Sequence, residues 1–560
     1  MDDVTFKAPG KGPWELETTH FYRPQTRFIG AAYAEAMPKG FGQGMARYGM
    51  LLDYLQPAPV NGFAYLQPVA YLAPKGAMGP PPKPILWLLT RIHPKMRARI
   101  ATSVRAFEEK LWRQDLVDWD TKDKPAAIEQ HLAIQLIDVE AMTDEGLIEH
   151  LERCYEHMTN MIELHHKYTA TSTVVTGDFL VQTLEWTGAT PGEVCSLLRG
   201  SSPISNGFAA EELIKAGEAL AASDVSMTHL RSSEPSTEKI KALSHDPDVG
   251  PAVRAYLDAV QFRSVGYDVG DATAGEMPDL LVGALLTAVV GTKPRTEDTS
   301  RLDALRAKVP AEHVGEFDAL LAEARLVNRL RDERGNYSDG WATGLARRAL
   351  LEVGRRLHDR GLLLDAEHAV DLQLGELTSL MQGRVGPTPA EAARHHEWRT
   401  TKTTADAPPF LTAMPAPPPP AEILPPAARR GARSIGAVLA NLFAVSEEEN
   451  TETVLHGLSV NEGTYEGTAR LVDDPADFGR IQQGDVLVTR NTSPYFNVVL
   501  PLLGALVTDR GGQLSHAAIV AREYGIPGVV GTRDATSVIP DGAHVRVDGT
   551  TGEVHVLTFP

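Results

Sequence analysis

Residues 508 to 523 read Thr508-Asp509-Arg510-Gly511-Gly512-Gln513-Leu514-Ser515-His516-Ala517-Ala518-Ile519-Val520-Ala521-Arg522-Glu523. Their types and order point to one chemistry. An apolar strand over 504–507 precedes a glycine pair, and a Ser-His pair then opens an apolar run with helical spacing. Gly511 and Gly512 lack Cβ, so the backbone can turn tightly and approach a ligand closely. Ser515 is a good N-cap, which puts His516 in the first turn of the predicted helix. Free N–H groups and the helix dipole favour an anion there. A neutral imidazole nitrogen is nucleophilic near neutral pH. An imidazole held where a phosphate is stabilised is what a phosphohistidine requires.

The elements that must position this histidine are short. After about residue 436 the pattern is apolar strands alternating with glycine turns and one or two helices, an α/β domain of modest size. Before residue 400 the chain reads as mainly helical. Leu147 to Leu164 carries apolar residues at every third or fourth position, with Thr143-Asp144-Glu145 as its start. The stretches 279–290, 314–330 and 345–357 follow the same rule, and 65–72 reads as a strand after an Asn61-Gly62 turn. Between the two regions, 407–426 is dense in proline, which disfavours helix and central strand and favours an extended spacer. The expected organisation is therefore multidomain: a helical substrate domain over 1–400, a Pro-rich linker over 401–435, and an α/β domain over 436–560.

The C-terminal motifs resemble the swivelling phosphohistidine domain of phosphoenolpyruvate synthase, pyruvate phosphate dikinase and rifampicin phosphotransferase. The resemblance runs in order through Gly463 to Arg470, Gly484 to Thr489, Thr492-Ser493-Pro494, the His516 motif, Gly525 to Gly531, and Asp541 to Gly549. It implies that His516 is phosphorylated, with Gly511, Gly512, Ser515, Thr492 and Ser493 around the phosphate. Phe496-Asn497 departs from the usual Trp-Thr-Pro of that family. The N-terminal region is similar to the substrate domain of the rifampicin phosphotransferase group through Trp14-Glu15, Thr18-Thr19-His20, Arg23-Pro24, Arg263 to Asp268, Asp271, Glu276-Met277-Pro278, Arg331 to Tyr337, Gly354 to Leu357 and Asp371 to Leu377.

Arginine binds phosphate oxygens through a planar fork, so Arg263, Arg331 and Arg334 are candidates to meet the phosphoryl group. The acceptor hydroxyl needs a base. Glu276 is the candidate with motif context, beside Asp268, Glu333, His20 and the pair His165-His166. His395-His396 reads as surface. Tyr22, Phe63, Tyr65, Tyr71 and Trp87 line an aromatic pocket or serve as core.

No Gly-x-x-x-x-Gly-Lys-Ser/Thr loop stands in the sequence, and residue 14 already resembles the acceptor region rather than an ATP-grasp domain. ATP-using members of the resembled family begin with an ATP-grasp domain, so the resemblance implies no cofactor and no metal site within this chain, with ATP and Mg2+ expected on a separate ATP-grasp partner that loads His516 in trans. The expected function is a phosphotransferase acting on a hydroxyl of a small organic molecule. A dehydratase that uses the phosphate as a leaving group, or a phosphocarrier without chemistry of its own, are the alternatives. A net charge of −19 over 560 residues argues against nucleic acid as a partner. Two cysteines, Cys154 and Cys195, make no disulfide framework. The acidic start lacks an apolar signal segment and no membrane span is legible, which makes the cytoplasm the expected compartment.

Overall fold

A computed structural model describes residues 4–74, 76–202, 210–290, 300–472, 475–492, 496 and 499–560. Contacts divide it into two compact units, and both are discontinuous in sequence. The first comprises Met1–Val174, Gly266–Ala272 and Arg334–Arg433; the second comprises Val175–Val265, Thr273–Glu333 and Ser434–Pro560. The expected helical region of 1–400 is thus shared between the units, and its middle portion clusters with the C-terminal α/β sheet.

In the first unit, three long helices make the frame. The helix Arg27–Arg47 starts at Thr26, whose hydroxyl accepts from the Ile29 amide. It packs on the helix Asp144–Lys167, which starts at Thr143 and buries Leu147, Leu151, Met158 and Ile162 along one face. Two glycines set how near the helices come. A Cβ on Gly40 would lie 2.0 Å from the Glu163 carbonyl oxygen, and one on Gly44 would lie 2.7 Å from that of Lys167. The third helix, Asp339–Asp359, buries Trp341, Leu345, Leu350 and Val353. A small antiparallel sheet joins Glu15–Leu16, Phe63–Ala70 and Leu52–Val60, in the order first, second, third. Its hairpin turns at Asn61 and Gly62, both at positive φ, where glycine carries no penalty.

The proline-rich stretch is docked rather than free in this unit. The Leu16 amide donates to the Pro409 carbonyl, Leu411 to that of Trp14, and the Tyr65 hydroxyl to that of Pro408. Leu424 is buried with Leu86, Ile100 and Ala428. Proline cannot donate to a sheet, but its carbonyl accepts, and here that property ties the segment to the edge strand. From Pro426 the chain is helical, to Leu442, with proline tolerated in the first turn.

In the second unit an eight-stranded sheet runs in the order Val454–His456, Glu553–Thr558, His544–Asp548, Thr464–Leu471, Val486–Thr489, Ala505–Thr508, Gly528–Val530, Leu458–Asn461. Four central strands, Thr464–Leu471 through Gly528–Val530, are parallel and the flanks antiparallel. Both Val486–Thr489 and Ala505–Thr508 are buried at every residue, as parallel strands covered on both faces must be. The helices of this unit include Ala210–Ala221, Gly250–Val260, Pro278–Val290 and Val314–Asn328.

Candidate functional site

His516 lies just past the carboxyl end of the strand Ala505–Thr508, and Thr492 just past the end of its parallel neighbour Val486–Thr489, with Thr489 and Thr508 in register. Ligands of open α/β sheets bind outside such strand ends. The helix His516–Tyr524 begins as expected: the Ser515 hydroxyl accepts from the Ala518 amide, and Gly525 closes the other end in the left-handed conformation.

The glycine pair divides its labour. Gly511 has φ of +101°, and a Cβ there would stand 2.8 Å from the Ser515 hydroxyl. Gly512 allows close packing instead, because a Cβ would lie 2.2 Å from the Asn441 carbonyl oxygen. Its amide donates to Leu442 at 3.0 Å, and Leu514 donates to Asn441 at 3.0 Å. The Gly512 amide is therefore committed to the helix Pro426–Leu442 and not directed at a phosphate, contrary to the expectation from sequence.

The imidazole of His516 is held by one nitrogen. Nδ1 lies 2.9 Å from the Thr492 hydroxyl. Nε2 is buried and has no hydrogen-bond partner among the described residues. Burial depresses the pKa of the ring to about 4, against a smaller upward pull from Asp332. The ring is neutral at pH 7, so Nε2 can be nucleophilic.

Two guanidiniums stand on the same loop. Arg331 donates to the Leu514 carbonyl at 2.5 Å. Arg522, on the His516 helix, donates to the Gln513 carbonyl at 2.6 Å and to its side-chain oxygen at 3.4 Å. Burial lowers the pKa of both, and Arg331 adds like-charge repulsion on Arg522. A phosphoryl dianion brought to this loop relieves that repulsion. Cys195 is buried near both arginines, and desolvation raises its thiol out of the reactive range.

The remaining sequence candidates fall elsewhere. Glu276 accepts from the Thr273 amide and hydroxyl at 2.8 and 3.0 Å, a capping box at the start of a helical turn. Arg263 is buried, with Nε donating to the Ala259 carbonyl. Both belong to a loop junction in the second unit. Glu333 pairs with Arg329 at 2.8 Å. Asp268 accepts from Thr26 through amide and hydroxyl and from the Gly270 amide, which closes a buried turn of the first unit. Arg334 donates to the His165 carbonyl and the Thr169 hydroxyl, also in the first unit. Ser493 and Asn497 lie outside the described residues. His396 is not a surface group: its Nδ1 lies 2.9 Å from buried Asp371, which also takes Arg399. The aromatic candidates do not share a pocket: Phe63 and Tyr65 are core, while Tyr71 and Trp87 lie under Arg99 and Arg91.

Sequence reasoning passed over Arg522, Gln513 and Asp332. The available signal was a charged residue, Arg522, directly after the apolar run Ala517–Ala521 that follows a motif glycine pair. Among the described residues no group of three His, Cys, Asp or Glu is arranged to hold a metal, and no helix is long and apolar enough to cross a membrane.

Residues 481–552 match the family model of the PEP-utilising enzyme, mobile domain. Relatives share longer stretches. The uncharacterised phosphotransferase YvkC of Bacillus subtilis (strain 168) is 33% identical over 246 residues, 43% of this chain and 27% of that protein. A rifampicin phosphotransferase of a Streptomyces species is 31% identical over 323 residues, 55% of this chain and 34% of that protein. A probable phosphoenolpyruvate synthase of Pyrococcus abyssi is 43% identical over 111 residues, 20% of this chain and 14% of that protein. The chain spans about a third or less of the length of these curated relatives. The matched interval contains Thr492, the glycine pair, His516 and Arg522, the residues that build the site. The His516 site therefore lies within the part of the chain that matches the PEP-utilising enzyme mobile domain.

Proposed function

We propose that the chain is a phosphotransferase that carries a phosphoryl group on Nε2 of His516 and passes it to a hydroxyl of a small organic acceptor. Loading is from ATP with Mg2+, bound on a separate ATP-grasp protein. One observation carries this reading: the Thr492 hydroxyl takes Nδ1, while Nε2 lies beside a helix N-terminus with no partner among the described residues. With the proton on Nδ1 and donated to Thr492, the lone pair is on Nε2. In loading, the N–P bond forms as the P–O bond to the donor's leaving phosphate breaks. The new phosphoryl oxygens meet the first helical amides and the Arg331 and Arg522 charges. In the second step the N–P bond breaks, a P–O bond to the acceptor forms, and a base takes the hydroxyl proton. His516 leaves as a neutral imidazole, its state before loading.

The test uses ATP labelled at both the β and the γ phosphorus, the full chain and a cell extract that supplies the loader. The label expected on the chain survives base and is lost in acid, and His516→Ala removes it. Label that persists in this variant overturns the reading. A chase with a panel of hydroxyl compounds then separates a phosphorylated product from a dehydrated one, and both from return of label to the loader.

A further inference from the structure

The first unit holds a second group of titratable side chains that the His516 chemistry has not used. Glu17 is buried, with 8% of its side chain accessible. Its carboxylate accepts from the amides of Thr19, His20 and Phe21 and from the His20 ring, Nδ1 to Oε1 at 3.2 Å. Four donors from the turn that follows it fix this carboxylate. His20 keeps 45% of its side chain accessible, yet enough protein surrounds it that burial opposes its charged form. The ring is thus partly open to solvent and partly packed against protein.

Aromatic rings and several titratable groups surround it. The Tyr267 ring meets His20 edge-on at 5.0 Å; Phe21 meets Tyr33 at 5.5 Å and Tyr267 at 6.3 Å, also edge-on. Tyr33 in turn meets His166 at 6.2 Å. Phe21, Tyr33 and Tyr267 are all part-accessible, so they are not sealed core. The groups that face His20 electrostatically are Glu17, Asp339, Arg334 and the imidazoles of His165 and His166. His165 donates from Nδ1 to Asp339 at 2.8 Å. Burial lowers His165 despite Asp339 and lowers His166 further. Burial works against His20 as well, but the Glu17 charge and hydrogen bond, with Asp339, outweigh it and Arg334 and raise the ring. Of the three imidazoles, His20 is therefore the strongest base and the most accessible. A carboxylate on Nδ1 with Nε2 on the opposite side of the ring is the arrangement of an oriented general base.

We propose that His20, oriented by Glu17, is the base of the acceptor step, and that the part-exposed surface formed by Phe21, Tyr33 and Tyr267 beside it receives a hydroxyl carried on a planar ring. The proposal rests on the phosphotransferase reading. The step balances: the P–N bond to His516 breaks, the acceptor P–O bond forms, the hydroxyl proton goes to Nε2 of His20, and the bonding pair returns to Nε2 of His516. Edge-to-face walls favour a flat apolar ring over a sugar or a charged alcohol. His20 touches the reacting hydroxyl and is catalytic; Glu17 acts through it and is a positioning residue.

The reverse reaction tests this without the loader. Labelled phenyl phosphate and 4-nitrophenyl phosphate are the probes, and transfer of label to His516 of the full chain is the readout. In reverse, protonated His20 donates to the leaving phenolate, which phenyl phosphate requires and 4-nitrophenyl phosphate, with its more stable phenolate, does not. His20→Gln should slow labelling from phenyl phosphate on the order of 100-fold and leave 4-nitrophenyl phosphate within a few-fold. The ratio within one variant corrects for any loss of folded protein. In Glu17→Gln the pKa of His20 falls, so the decline of phenyl phosphate activity with rising pH moves to lower pH. Equal slowing of both esters in His20→Gln, or an unmoved profile in Glu17→Gln, overturns the role of the pair. Wild-type protein labelled from ATP and extract but from neither ester overturns the ring-hydroxyl assignment while leaving His516 as the carrier. Absence of label from every donor rejects the phosphotransferase reading itself.

Discussion

Replacing Thr492 by valine removes one hydroxyl from the site and keeps the side-chain shape. The Thr492 oxygen lies 2.9 Å from Nδ1 of His516, and in the proposed carrier it accepts from Nδ1–H, which leaves the lone pair on Nε2. Thr492 is buried and the ring is largely enclosed, so water does not readily replace the lost partner. A buried polar atom left without its hydrogen bond costs about 1–3 kcal/mol. At about 1.4 kcal/mol per factor of ten, that is a loss of roughly 5- to 150-fold in the rate of loading. Thr492→Ser keeps the hydroxyl and should recover most of the rate. The tautomer is read directly from nitrogen-15 histidine spectra of the full chain, with His516→Asn identifying the signal. Wild type should show a protonated Nδ1 and a bare Nε2; the valine variant should show a mixture. A wild-type ring protonated on Nε2, or loading as fast in Thr492→Val as in wild type, refutes the reasoning.

Further outcomes follow from burial and packing. Because burial holds His516 near a pKa of about 4, its loading rate should be flat from pH 8 to 5, where an imidazole of ordinary pKa would already be mostly protonated; a midpoint near 6.5 in rapid-quench data rejects the depressed value. The same depression makes the folded state lose stability as pH falls from the unfolded value toward 4, and His516→Asn should flatten that slope in urea titrations. Gly40→Ala should destabilise by about 1–3 kcal/mol, because a Cβ 2.0 Å from the Glu163 carbonyl forces the helices apart. Gly283→Ala, where nothing stands within 4 Å, should instead stabilise by up to about 1 kcal/mol, and the same sign for both in denaturant melts contradicts the packing account. Arg399→Met strands buried Asp371 without its 2.6 Å partner and should cost about 3–5 kcal/mol; a cost below about 1 kcal/mol shows the pair is dispensable.

The sequence by itself determined what is local. Thr143 before Asp144–Lys167, Ser515 before His516–Tyr524 and the Asn61-Gly62 hairpin are legible because each depends on residues within four positions. The His516 motif is legible for the same reason: strand, glycine pair, cap and histidine are contiguous. Tertiary structure decided what depends on distant partners. Gly512 read as a phosphate cradle, but its amide goes to Leu442, which no local pattern shows. Glu276 read as a base and accepts from Thr273 at a cap; Asp268 accepts from the distant Thr26, and Arg263 donates to Ala259. The proline-rich segment read as a spacer because proline excludes helix and central strand, yet its carbonyls remain good acceptors, and Leu16 and Tyr65 use them. His20 was one base among several until the fold set a saturated carboxylate on its Nδ1 and Tyr267 against its ring. Residue type bounds what a side chain can do; the groups that surround it after folding, through burial and charge, decide which of those things it does.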